Sequence, residues 1–134
     1  MERTATCHCG QLKVIASGEP DRVYVCHCKA CQHRTGSIIH NGSSWRKSQV
    51  RVEGEDKIFA RMADSGFEIR FHFCPHCGTS VFWEGDRNPA TCGIAVGCFA
   101  DPDFPSPDSS GWEESMHGWL GLPSGIARFP QSRS

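Results

Sequence analysis

The chain has 134 residues, 38% of them hydrophobic and 22% charged, which fits one ordinary globular domain over residues 1–134. Fourteen Lys and Arg oppose fifteen Asp and Glu, leaving a formal charge of -1, so no net basic field exists to hold a nucleic acid. No apolar run approaches the roughly 18 residues that a membrane span needs. Residues Met1 to Cys9 carry no basic cluster followed by an apolar stretch, so the expected compartment is the cytoplasm. The nine cysteines are then expected as metal ligands or catalytic groups rather than disulfides.

Taken in chain order, short runs of β-branched and aromatic residues alternate with Gly, Pro, Ser and Asp, the pattern of a mainly β fold with few or no helices. Strands are predicted at Leu12 to Ile15, Val23 to Val25, Ser37 to His40, Gln49 to Val52 and Lys57 to Arg61. Only Cys28 to Arg34 suggests a helical turn, with Gly36 supplying its left-handed end. The sequon at Asn41-Gly42-Ser43 reads as a turn. From Phe67 to Phe73 the residues Phe67, Ile69, Phe71 and Phe73 alternate with polar ones, placing four apolar side chains on one strand face. Ser80 to Glu84 and Gly93 to Phe99 read as central strands. Asp101 to Gly111, rich in Pro, Ser and Asp, reads as a surface loop. After it, Trp112, Met116, Trp119, Leu120, Leu122 and Phe129 form an apolar tail expected to pack on the sheet, with Gln131 to Ser134 frayed.

Seven cysteines fall into three groups: Cys7 and Cys9 as CxC, Cys26, Cys28 and Cys31 as CxCxxC, and Cys74 and Cys77 as CxxC. A tetrahedral ion with zinc to sulfur distances of about 2.3 Å needs ligands that short turns can aim at one centre, and these spacings do so. In Cys74-Pro75-His76-Cys77-Gly78, proline fixes one turn dihedral and glycine allows amides to approach the sulfurs. The two pairs together suit a closed, structural four-sulfur site, worth on the order of 10 kcal/mol of folding free energy. The triple suits an open site whose fourth position takes water, a substrate thiol, or a histidine such as His27 or His33. Two zinc ions are therefore expected.

Other readings compete at several of these positions. A thioredoxin-like redox pair at Cys74 and Cys77 would need a βαβ setting that the sequence lacks. Cys92 and Cys98, in or beside an apolar run, are expected as small buried hydrophobes. The histidines His8, His40, His72, His76 and His117 are not singled out, and Trp83 and Trp119 are expected in core packing. Arg46, Lys47 and Arg51 form the one local basic cluster that a nucleic-acid module could use, against which the balanced charge argues.

The order Cys7-His8-Cys9-Gly10, Cys26-His27-Cys28-Lys29-Ala30-Cys31, Gly36 and Phe73-Cys74-Pro75-His76-Cys77-Gly78 resembles the glutathione-dependent formaldehyde-activating enzyme family, which includes centromere protein V. Ile94 to Pro102 and the tail from Glu114 to Pro130 look like further family segments, and Cys92 and Cys98 lie outside its metal pattern. The resemblance implies an Mss4-like fold of antiparallel sheets around zinc. It implies a structural ion on Cys7, Cys9, Cys74 and Cys77 and a catalytic one on Cys26, Cys28 and Cys31. The activity implied is that of a carbon-sulfur lyase acting on glutathione and formaldehyde, or on another small thiol and its adduct. Lys29 and Arg34, beside the triple, are candidate contacts for glutathione carboxylates. The alternative is a non-catalytic Mss4-like zinc scaffold that binds a protein partner.

Overall fold

The structure is a computed structural model and describes residues 1–132. Its strands are β1 (Glu2–Thr6), β2 (Lys13–Ser17), β3 (Arg22–Cys26), β4 (His40–Arg46), β5 (Val50–Glu53), β6 (Lys57–Met62), β7 (Glu68–Phe73), β8 (Ser80–Gly85), β9 (Thr91–Ala95), β10 (Ser109–Gly111) and β11 (Ala127–Arg128). Helix α1 (Lys29–Thr35) is the only α-helix among the described residues. The mainly β expectation therefore holds. The chain forms two compact units, one of residues 1–21 with 43–104 and one of residues 22–42 with 105 onward.

In the first unit, β2 lies between β1 and β5, antiparallel to both, with Val14 opposite Ala5 and Val52. Val14, Ile15 and Ala16 are all buried, so this strand is apolar on both faces rather than alternating. A second antiparallel ladder runs β9, β8, β7, β6. The core joins Ala5, Leu12, Val14, Trp45, Val81, Phe82, Ile94 and Phe99. Trp45 is fully buried, and its indole N–H donates to Ser43 Oγ at 2.8 Å, which donates on to the Ile94 carbonyl at 2.9 Å. Trp83 lies against Gly93 so closely that a Cβ there would meet the indole at 2.0 Å, which explains the glycine inside β9.

In the second unit, β10 pairs in parallel with β3 on one side and β11 on the other, so this part departs from a purely antiparallel sheet. Long stretches of chain separate each pair in sequence, which is what parallel pairing requires. Helix α1 ends as predicted: Gly36 takes φ 71° and its N–H returns to the Gln32 carbonyl. Arg22 lies over the Tyr24 ring, and Tyr24 packs edge-on to the buried His40.

Several local expectations shift. The sequon residues lie inside β4 and not in a turn, because Ser43 is drawn into the hydrogen-bond chain that satisfies Trp45. Strand β9 stops at Ala95, and Val96–Phe99 coil into a 3-10 turn ending on Ala100 at φ 50°. The predicted apolar face of β7 is only partly covered: Phe71 is buried, but Phe67 is exposed, as are Ile58, Phe59 and Met62 on β6, the last strand of its ladder. Trp119 is 76% exposed and does not pack in a core. It sits at a turn closed by the Leu120 N–H to the His117 carbonyl, with Gly118 and Gly121 on either side. Gln131 is tied rather than frayed, its carbonyl accepting from Trp112 N at 3.0 Å, while Arg133 and Ser134 lie outside the described residues.

Replacing Ser43 with Ala strips the buried Trp45 N–H and Ile94 carbonyl of a shared partner. It should cost about 2 kcal/mol, read as a lowered urea midpoint at unchanged slope.

Candidate metal centres

Two tight turns in the first unit present sulfurs. In one, Cys7 N donates to the Leu12 carbonyl and Gly10 N to the Cys7 carbonyl; in the other, Cys74 N donates to the Thr79 carbonyl and Gly78 N to the Cys74 carbonyl. The turns are cross-linked by the His8 N–H to Thr79 Oγ1 at 3.1 Å. As a result the sulfurs of Cys7, Cys9, Cys74 and Cys77 all lie within 4.8 Å of one another. Cys7 and Cys9 are 3.6 Å apart, and Cys9 and Cys74 are 3.7 Å apart. Sulfurs at the corners of a tetrahedron about 2.3 Å from a central ion would be about 3.8 Å apart, so the four fit one ion.

Electrostatics around these sulfurs point the same way. The Cys77 thiol is drawn down to about 5, chiefly by the Thr79 hydroxyl and backbone N–H. At Cys74 burial is outweighed by N–H groups of Gln11, Cys77 and His76, lowering its proton affinity, and the Gln11 amide reaches its sulfur at 3.0 Å. Cys9 is held up at about 11: backbone N–H donation from Gln11 favours its thiolate, but burial and the neighbouring thiols outweigh it. Donors are thus provided for thiolates that repel one another, a conflict that a bound cation resolves.

The second unit carries the triple. Strand β3 delivers Cys26, Cys28 caps α1 with its sulfur accepting the Cys31 N–H at 3.3 Å, and Cys31 lies on the first turn of the helix. The three sulfurs lie within 4.8 Å of one another, Cys26 and Cys31 at 3.8 Å. Crowding by the Cys28 and Cys31 thiols raises the proton affinity of Cys26. Among the described residues no histidine or carboxylate joins this group. His27 is fully buried, with Nε2 2.9 Å from Ser110 Oγ, and burial lowers its proton affinity. Lys29 is exposed on the same short helix, and Arg34 Nη2 is 3.5 Å from His40 Nδ1.

Cys92 is buried and Cys98 packs against the core, and burial pushes both thiols up to about 11, in keeping with an apolar packing role. Two polar residues at the triple were not singled out by the sequence. Gln32 donates from Nε2 to the carbonyls of His27 at 3.0 Å and Ser115 at 3.2 Å, and its Oε1 lies 3.2 Å from His117 Nε2. A glutamine beside a metal motif and a histidine 85 positions later give no local signal of their meeting.

Metal analysis of zinc-supplemented protein should find one ion fewer per chain in Cys74→Ser and in Cys28→Ser than in wild type, each substitution emptying its own group of sulfurs. A second expectation concerns acid. Burial, aided by the Arg34 charge, holds His40 at about 4, below the roughly 6.5 of an unfolded histidine. Unfolding therefore takes up a proton between these values. The stability that neutral His40 contributes is complete above pH 6.5 and is lost as pH falls towards 4, at up to about 1.4 kcal/mol per pH unit. Urea denaturation from pH 7 to pH 5 should show a shallower loss in His40→Gln than in wild type.

A crystal structure of a Rhodobacter sphaeroides protein has a similar fold, with 19% identity over 96% of this chain and 99% of its own, at a TM-score of 0.54. No curated protein matches the chain. The sequence model of one family, described as glutathione-dependent formaldehyde-activating enzyme, matches residues 2–118, and with both cysteine groups inside that span the chain belongs to this family.

Proposed function

We propose that the protein is a zinc-dependent carbon-sulfur lyase-type enzyme acting on a thiol-aldehyde adduct such as S-hydroxymethylglutathione, with its two units working as one functional domain in the cytoplasm. The observation that carries this reading is the three-sulfur group of Cys26, Cys28 and Cys31, joined by no histidine or carboxylate among the described residues. Closed four-ligand sites are structural, and three-ligand sites leave a position for substrate. Family membership supplies the thiol and aldehyde as the expected pair.

Cys7, Cys9, Cys74 and Cys77 hold the structural ion, and Cys26, Cys28 and Cys31 hold the catalytic one. Zinc at the three-sulfur group supplies Lewis acidity, which lowers the proton affinity of an incoming thiol and stabilises a departing thiolate in the reverse direction. The chain's own residues do the rest. The Cys28 sulfur accepts the Cys31 N–H, which favours its thiolate, and the Gln32 amide holds the His27 carbonyl between Cys26 and Cys28. Lys29 and Arg34 bind the carboxylates of glutathione by charge-assisted hydrogen bonds.

A second reading, a zinc scaffold for a protein partner, is favoured by one observation, the exposed Ile58, Phe59, Met62 and Phe67 in the β6–β7 region. Exchange NMR on labelled formaldehyde with glutathione separates the two. Zinc-loaded wild type should accelerate adduct formation, and Cys31→Ser should lose at least a hundredfold while keeping its fold. Equal rates with and without the wild-type protein would leave the scaffold reading standing.

A further inference from the structure

The side-chain amide of Gln32, next to Cys31, is occupied at both ends. Its Nε2 donates to the carbonyls of His27 and Ser115, and its Oε1 faces His117 Nε2 at 3.2 Å. Carbonyl oxygens only accept, so the amide cannot be turned round without setting its own oxygen against two others. Oε1 is itself an acceptor. His117 Nε2 must therefore carry a hydrogen, and in the neutral ring the basic lone pair falls on Nδ1.

The segment that bears His117 is bound to the cysteine loop at several points. Gly111 is in register with Cys26 and accepts the His27 N–H at 3.1 Å, while Ser115 and His117 are held by Gln32. The other histidines of this unit are less suited to proton transfer. His27 is fully buried against Ser110, His40 is buried beside Arg34, and His33 is an exposed residue of α1. His117 is partly exposed and anchored through one nitrogen. It thus combines access with a fixed tautomer.

We propose that His117 is a catalytic base and acid for the three-cysteine centre, with Nδ1 as its working nitrogen, and that Gln32 is the positioning residue that selects it. The inference rests on the thiol-aldehyde reading above. In the addition, the thiol proton passes to Nδ1 and the freed sulfur electron pair forms the bond to the aldehyde carbon. The carbon-oxygen π pair moves to oxygen, which takes the proton back from Nδ1. Thiol and aldehyde combine with no atom lost and no electron gained from outside, and the imidazole ends as it began. Cleavage runs the same transfers in reverse.

His117→Gln tests this because it keeps a side-chain N–H for Gln32 Oε1 but has no basic nitrogen. Its kcat should fall about a hundredfold or more, with KM and metal content unchanged, and added imidazole should restore turnover to His117→Ala. A readout independent of activity is long-range ¹H–¹⁵N NMR of the ring. Wild type should show the Nε2–H tautomer, and Gln32→Ala should show a mixture. An Nδ1–H tautomer in wild type, or wild-type kcat in His117→Gln, overturns the assignment while leaving the thiol-aldehyde reading intact. A zinc-loaded wild type that accelerates no thiol-aldehyde exchange overturns both.

Discussion

Seven sulfurs held in two groups, each with all members within 4.8 Å, set the terms for the rest of this protein. Thiolates so close repel one another, and thiols so close waste their donors on weak acceptors. The first unit answers with backbone geometry. Its two knuckles repeat one hydrogen-bond scheme, in which the first cysteine's N–H pairs with a carbonyl beyond the turn and a glycine N–H closes back on that cysteine. Sulfurs are thereby aimed inward and amides are aimed at sulfurs. The β2 and β7 strands that lead from and into these turns can then be short, because their ends are set by the knuckles rather than by strand length.

The second unit meets the same constraint differently. A strand end, a helix cap and a first helical turn supply its three sulfurs, and a seven-residue helix is too short to be stable through its own hydrogen bonds. Its position depends on Gln32 and on the strand pairing of Cys26 with Gly111. Trp112, directly after that pairing, takes the left-handed conformation at φ 57°, unusual for a bulky residue. Strain of this kind persists where the surroundings over-determine the backbone, as the bonds from Trp112, Glu113 and Glu114 to the carbonyls of residues 129–131 do here.

Much of this was legible in the sequence, for reasons that can be named. Cysteine spacing is short-range, so the CxC, CxCxxC and CxxC groups disclosed both clusters, and Gly36 disclosed the end of α1. Strand type was readable where alternation was clean, as in β7, but its burial was not, because alternation says which residues share a face and not whether anything covers it. Phe67 and, on the neighbouring β6, Phe59 are exposed. Pairings that depend on distant chain were silent. Strand β10 lies in a stretch whose prolines and serines read as loop, and its parallel partners are far away in sequence. His117 is silent for the same reason, since its partner Gln32 lies 85 positions away in the chain.

The four tryptophans differ sharply in surroundings, and two of them mark the extremes. Trp45 has no solvent exposure and a fully hydrogen-bonded indole, whereas Trp119 is 76% exposed two residues after His117. The protein therefore contains its own pair of optical probes. Iodide or acrylamide will quench the red-edge emission of Trp119 first and leave the blue emission of Trp45, so occupancy of the surface around His117 can be followed by fluorescence without any label.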